Sequence, residues 1–154
     1  MTASATVAPI HPSRDRAGRV VLGLLTLSTI GAFAQGLFNL AAAGPDRVFV
    51  EGWRTFGFLV FAGLFALLTV RPRASPLIWE LVFVQKVAVT IIGYANVAAF
   101  ESIPSAHVDL GLVIGIVVAW ILCQGWLSWS RAAAPVDPAA RALATSGSGR
   151  QPDA

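Results

Sequence analysis

Ionisable and amide side chains within long apolar segments are the residues of this sequence best suited to chemistry. Lys86 lies nine residues past Leu77 in such a segment. If a helix starts at Leu77, the lysine lies about 13 Å along it, near the middle of a membrane. Charged groups at that depth are costly and commonly mark function. The alternative is that the lysine snorkels toward the helix N-terminus, and the sequence leaves both explanations open.

A polar layer around Lys86 is our first site hypothesis. Glu80 and Lys86 are six residues apart, which places them about 120° apart around a helix and excludes an ordinary ion pair within it. Glu80 opens the segment, where the helix dipole favours a carboxylate. By depth, the neighbour expected for Lys86 is Gln124, beside Cys123. The hypothesised layer therefore comprises Glu80, Gln85, Lys86 and Gln124.

A second polar layer is predicted near the opposite ends of the segments. Its members are amide and phenol side chains of similar depth, namely Gln35, Asn39, Tyr94 and Asn96. Arg54 follows Glu51 by three residues, and Arg47 precedes Glu51 by four if that helix begins early. These groups are candidates for binding a small polar ligand. A hydrogen-bond network that ties the loops to the helices is the competing explanation.

The residue sets of common enzyme and metal sites are missing from the sequence. We find no nucleophile elbow, no phosphate-binding glycine loop and no carboxylate and histidine cluster. The single cysteine, Cys123, excludes an internal disulfide, and His11 and His107 add too few ligands for zinc. His107 and Asp109 are predicted to lie in a solvated loop, with a weak surface metal contact that includes Glu101 as the alternative. We expect no catalytic residue, no metal and no cofactor.

These residues belong to four apolar segments, which cover about residues 20–43, 52–70, 77–100 and 108–130. Each is long enough to cross a hydrocarbon layer of about 30 Å as a helix. Of the 154 residues, 56% are hydrophobic and 12% are charged, whereas about 25% are charged in soluble domains. The sequence predicts an all-α, integral membrane four-helix bundle surrounded by the lipid bilayer.

The basic residues predict the orientation of these segments. Eight arginines lie on the side of the segments that carries the two termini, namely Arg14, Arg16, Arg19, Arg71, Arg73, Arg131, Arg141 and Arg150. Two lie on the opposite side, Arg47 and Arg54. The positive-inside rule then places both termini in the cytoplasm and the protein in the cytoplasmic membrane. Residues 1–19 and 131–154 are predicted cytoplasmic tails, the second disordered. A cleaved leader is the alternative for the first segment, although its apolar run is long for one.

The pI of 10.0 therefore reflects arginines at segment ends and not a nucleic-acid-binding patch.

Small residues four apart predict where helices approach closely in lipid. In the fourth segment they are Gly111, Gly115 and Ala119. They predict packing within the bundle, with a homodimer or a membrane-complex partner as the alternative. In the first segment Gly23 and Gly31 share a stripe with Gln35 and Asn39, which predicts that this face meets a neighbouring helix.

Three local patterns accompany the layout: Glu51-Gly52-Trp53-Arg54-Thr55-Phe56-Gly57, Arg71-Pro72-Arg73 and Leu77-Ile78-Trp79-Glu80. Over roughly residues 20–130 the chain resembles the DoxX-like group of small bacterial membrane proteins. The resemblance implies a four-helix fold, with occasional association with quinone or thiol redox systems. The lone cysteine gives no support to a thiol role.

The sequence thus predicts a structural or accessory subunit, or a small-ligand binder, without catalytic activity. The alternative is a membrane-embedded transporter or redox-linked enzyme whose polar interior includes Lys86, Gln124, Gln35 and Asn39. A working site should bring these side chains to one continuous cavity. A scaffold should hold them in separate hydrogen-bonded contacts.

Overall fold

The computed structural model describes residues 11–96 and 102–132. Within these ranges the chain forms five helices and no strand: α1 (Pro12–Ala41), α2 (Val48–Val70), α3 (Ile78–Ala95), α4 (Ser102–Cys123) and the short α5 (Leu127–Ala132). The first four are long and apolar enough to cross a membrane. For the described residues, the prediction of an all-α fold with four helices able to cross a membrane is confirmed.

The four long helices pack in a ring that follows the order of the chain. α1 contacts α2 and α4, α3 contacts α4, and the contact between α2 and α3 is much smaller. Short connections make chain neighbours antiparallel. We call the end that contains Pro12, residues 71–77 and Cys123 the N-terminal end, and the end that contains residues 42–47 the loop end.

The helix bounds differ from the predicted segments mainly at their polar ends. α1 begins at Pro12 and α2 at Val48, several residues before the apolar runs, so residues 12–19 are helical and not a tail. Pro12 occupies the first turn, where its fixed φ suits a helix and its missing N–H costs nothing. α4 likewise begins at Ser102 with Pro104 in its first turn. Residues 1–10, 97–101 and 133–154, which include parts of both predicted tails and of the third predicted segment, lie outside the described residues.

The interior of the bundle divides into two halves. A cluster of buried apolar side chains fills the half near the N-terminal end, namely Leu22, Phe65, Leu68, Trp79, Val82, Ile116, Ala119 and Cys123. The half near the loop end buries polar side chains, namely Thr29, Glu51, Thr55, Lys86 and Thr90, while Ser75 and Ser128 are buried near the N-terminal end. Many large apolar side chains, such as Phe49 and Trp53, are exposed on the outer surface. This pattern is expected in lipid, where helices gain nothing by hiding apolar groups from one another.

Two arginines close the N-terminal end of the bundle. Arg19 Nη1 donates to the carbonyls of the last two residues of α2, at 2.8 and 2.9 Å. Arg73 Nη1 donates to the carbonyl of Cys123 at 3.0 Å and to Asp15. Asp15 also accepts from Arg19 Nε at 2.8 Å. The last carbonyls of a helix lack partners within it and attract cations, so these side chains cap α2 and α4 and join them to α1.

Close helix approach occurs at other glycines of α1 than those predicted. A Cβ added at Gly23 or Gly31 would have nothing within 4 Å, so neither glycine is a point of close helix approach. The face of α1 that meets α2 instead contains the buried Gly36, where an added Cβ would lie 2.7 Å from Oγ1 of Thr55. Gly36 follows Thr29 by seven residues, on the buried side of the helix.

In the small-residue series predicted for α4, Gly115 and Ala119 pack against other parts of the chain and Gly111 does not. A Cβ added at Gly115 would lie 2.9 Å from Leu25 of α1. Ala119 is fully buried in the apolar cluster. Gly111 is exposed, with open space around it. A homodimer or partner contact through this series stays a prediction.

The Gly36 contact predicts a local effect on stability. Gly36→Ala should lower the stability of the protein by about 1 kcal/mol or more, because the new methyl group overpacks Thr55. Gly31→Ala is the matched control, and it should be neutral or stabilising by up to about 1 kcal/mol because alanine favours the helix. Thermal unfolding in detergent, followed by circular dichroism, measures both. Equal stability of the two variants would contradict this packing.

Candidate functional site

An ion pair lies inside the bundle between α3 and α4. Lys86 Nζ donates to Oδ1 of Asp109 at 2.8 Å, and the two side chains are only 4% and 14% exposed. The ring of Phe61, on α2, covers the ammonium group with its centroid 4.7 Å from Nζ. Thr90 continues the polar surface along α3, and its hydroxyl donates to the carbonyl of Lys86 at 2.8 Å. Three helices therefore meet at this pair.

The predicted partner of Lys86 was wrong, and so was the snorkelling explanation. Gln124 lies just past the end of α4, at the N-terminal end of the bundle, with a left-handed φ of 52°. The partner of Lys86 is Asp109 and not Gln124. This is possible because α4 begins at Ser102, which puts Asp109 two turns inside the helix and not in a loop. Antiparallel packing then brings Asp109 level with Lys86. Pro104 is the feature of the sequence that indicates this earlier helix start, because proline is tolerated in the first turn of a helix.

The other members of the hypothesised layer lie apart from this pair. Glu80 is exposed near the N-terminal end, where its Oε1 accepts from Trp129 Nε1 at 2.8 Å. Oε1 of Gln85 is buried, and among the described residues it has no hydrogen-bond partner. The layer of Glu80, Gln85, Lys86 and Gln124 is therefore not found as one site.

A second charged cluster lies at the loop end, where α2 begins. Glu51 accepts from Arg47 Nη2 through Oε1 at 3.0 Å and from Arg54 Nη2 through Oε2 at 2.6 Å. The Glu51 side chain is only 6% exposed, whereas both arginines reach the surface. The start of α2 at Val48 gives Arg47 the i,i+4 relation that the sequence offered for an early helix start. One buried carboxylate thus positions two guanidinium groups.

This cluster forms one wall of a cavity of about 380 Å³. The other wall is the end of α1 and the connection that follows it. Its lining residues are Asn39, Ala42, Ala43, Gly44, Arg47, Glu51 and Arg54. The cavity is about half open to its surroundings, and its volume is within the range of about 300 to 1,000 Å³ that is usual for ligand sites. Two guanidinium groups, one carboxylate and one amide line the cavity, so it presents both donors and acceptors to a small polar ligand.

The predicted outer layer is divided between this cavity and the end of α3. Gln35 Nε2 donates to Oδ1 of Asn39 at 3.2 Å, beside the cavity. Tyr94 contacts the ring of His107 edge-on, with centroids 5.5 Å apart. Asn96 Nδ2 donates to the carbonyl of Ile92 at 2.7 Å. Of the seven predicted ligand-binding residues, only Asn39 and Arg54 line the cavity, and Lys86 and Gln124 are far from it along the helices.

Two features of the bundle interior are not predicted by the sequence. Asp109 was assigned to a loop, although it is the partner of Lys86. The hydroxyl of Thr55 is buried without a hydrogen-bond partner in the described part of the chain, beside Gly36. No spacing rule within one helix could have indicated that contact, because it joins α1 to α2.

Metal donors are not grouped in the described ranges, where no three His, Cys, Asp or Glu side chains could hold one ion. No family model, curated protein or solved structure matches this chain. The resemblance to the DoxX-like group therefore stays an expectation from the sequence.

The buried ion pair predicts how substitutions combine. Lys86→Leu should destabilise the protein by about 3 kcal/mol, because it leaves the Asp109 carboxylate buried without its partner. The double variant Lys86→Leu and Asp109→Leu should recover most of this loss, since it removes both charges. Equilibrium unfolding in mixed detergent micelles measures the change. A single variant as stable as the parent, or a double variant no better than the single one, would contradict the pairing.

Proposed function

We propose that this protein is a multi-pass protein of the cytoplasmic membrane that binds a small anionic or zwitterionic ligand at the loop end. In this proposal it acts as a ligand-binding or accessory subunit and has no catalytic chemistry of its own. The observation that carries the proposal is the cavity lined by Asn39, Arg47, Glu51 and Arg54. The resemblance to DoxX-like bacterial proteins is consistent with it.

The chemistry of the lining supports a carboxylate as the recognised group. A guanidinium group presents its N–H donors in a planar fork that matches the two oxygens of a carboxylate. Glu51 holds Arg47 and Arg54 on either side of itself, so less side-chain freedom is lost when a ligand binds. The amide of Asn39 can both donate and accept. A ligand ammonium group would be attracted by Glu51, which extends the class to amino acids.

The orientation of the bundle decides from which side the ligand reaches the cavity. We propose that the N-terminal end faces the cytoplasm, since arginines concentrate there and the positive-inside rule then applies. The cavity at the loop end would open to the outside of the membrane. The ligand would therefore be taken from outside the cell or from the periplasm.

Labelling of single cysteines tests the orientation. In a Cys123→Ser background, Pro45→Cys at the loop end should react with a membrane-impermeant maleimide on intact cells. Ala74→Cys, which is also exposed but lies at the N-terminal end, should react only after the cells are lysed. The reverse pattern would overturn the orientation.

A ligand titration tests the proposed function. Acetate, glycine and inorganic phosphate are added to the purified protein, and calorimetry measures binding. We expect saturable binding of acetate or glycine, with affinity at least tenfold lower in Arg54→Gln and Asn39→Ala, equivalent to about 1.4 kcal/mol. Arg14→Gln, at the other end of the bundle, is the control and should bind like the parent. Absence of saturable binding, or equal binding by Arg54→Gln, would contradict the proposal.

The second candidate is a transporter or redox-linked enzyme built around Lys86, and the buried pair with Asp109 favours it. Ionisable groups inside membrane helices are most often functional. The same titration separates the two candidates when it is repeated with proteoliposomes. A ligand-binding subunit binds the ligand without uptake, whereas a transporter accumulates it and loses uptake in the Lys86→Leu and Asp109→Leu double variant.

A further inference from the structure

A groove lies between α1 and α2, in the half of the bundle near the N-terminal end. It is shallow and largely open to its surroundings, with a volume of about 450 Å³, and its lining residues are Val20, Gly23, Leu24, Thr26, Leu27, Ala66, Thr69 and Val70. The two threonine hydroxyls are satisfied within their own helices. Thr26 donates to the carbonyl of Leu22 at 2.9 Å and Thr69 to that of Phe65 at 2.8 Å. The groove wall is therefore chemically apolar.

One position of α1 that lines the groove carries no side chain. A Cβ added at Gly23 would have no heavy atom within 4 Å, so this residue leaves open space between α1 and α2. Val20, Gly23 and Leu27 lie on one stripe of α1, which makes the groove about 10 Å long. That length accommodates the upper part of a lipid acyl chain, and it is short for a membrane-spanning helix.

Basic residues surround the N-terminal end of the groove. Arg16 is one turn before Val20 on the same stripe, and Arg71 directly follows Val70. Arg19 lies between the two helices, where it donates to the last carbonyls of α2. Arg16 and Arg71 are exposed. Asp15 is the acidic residue at this position, and it already pairs with Arg19 and Arg73, so the end of the groove keeps a positive charge.

We propose that this groove binds one acyl chain of an anionic phospholipid, with the lipid phosphate beside Arg16, Arg19 and Arg71. The site lies in the leaflet that faces the N-terminal end of the bundle, and it is separate from the cavity at the loop end. Basic pockets between membrane helices bind anionic headgroups by the same combination of charge and shape.

A second copy of the chain fits the same surface less well. A symmetric dimer through this groove would place the arginines of one copy against those of the other. Like charges held close together disfavour such an interface. The charge at the end of the groove therefore favours a phospholipid over a second protein chain.

The test is binding of single lipids to the delipidated, detergent-purified protein, measured by native mass spectrometry. Phosphatidylglycerol should bind at least tenfold more tightly than phosphatidylcholine with the same acyl chains. Gly23→Leu should weaken phosphatidylglycerol binding tenfold or more, because the new side chain fills the groove. Gly57→Leu is the matched control, since Gly57 also has open space around it but lies in the other half of α2. It should bind like the parent.

A second pair of variants tests the headgroup contact and does not depend on the folding of Gly23→Leu. The Arg16→Gln and Arg71→Gln double variant should lose the preference for phosphatidylglycerol, whereas Arg14→Gln, on the other side of α1, should keep it. Four results would overturn the proposal: equal binding of the two lipids, full binding by Gly23→Leu, competition by glycerol phosphate at the same concentration as the lipid, or a dimer in detergent that Gly23→Leu dissociates.

Discussion

The ion pair between Lys86 and Asp109 is the contact on which the arrangement of α3 most depends. Helices in lipid are not driven together by the exclusion of water, so close packing and polar contacts hold them. α3 has only a small contact with α2 and is held mainly by α4. Neither charge could remain in the membrane alone at an acceptable cost. Each therefore requires the other, and this requirement sets the relative height of α3 and α4.

The need to pair buried charges applies in both halves of the bundle interior. Near the N-terminal end, close packing of Leu22, Phe65 and Trp79 is sufficient, and Arg19 and Arg73 satisfy the carbonyls where α2 and α4 end. Charged groups are paired at both ends, Asp15 with Arg19 and Arg73 at the N-terminal end and Glu51 with its two arginines at the loop end. The proposed ligand cavity belongs to the polar half and the proposed lipid groove to the apolar half. The two proposals thus rest on different helix ends and different chemistry.

The sequence predicted the features that depend on a single helix. Four long apolar runs predicted four spanning helices, and the i,i+3 and i,i+4 spacing around Glu51 predicted its two arginine partners. The partner of Lys86 could not be predicted in the same way, because it depends on the relative height of two helices. The apolar run of α4 begins near Val108, whereas the helix begins at Ser102. Six residues correspond to about 9 Å along the axis, enough to move Asp109 from a loop into the bundle.

The glycines show that helix packing, like the partner of Lys86, could not be predicted from spacing within one helix. A glycine in a membrane helix allows close approach of a neighbouring backbone, but its spacing does not say which glycine is used. In α1 the buried Gly36 contacts α2, whereas Gly23 and Gly31 leave open space. Space left open on a lipid-facing surface is filled by lipid, because a void forfeits the contacts of its lining atoms. A glycine that makes no helix contact can thus still shape a binding surface, and at Gly23 the nearby arginines determine which lipid headgroup that surface prefers.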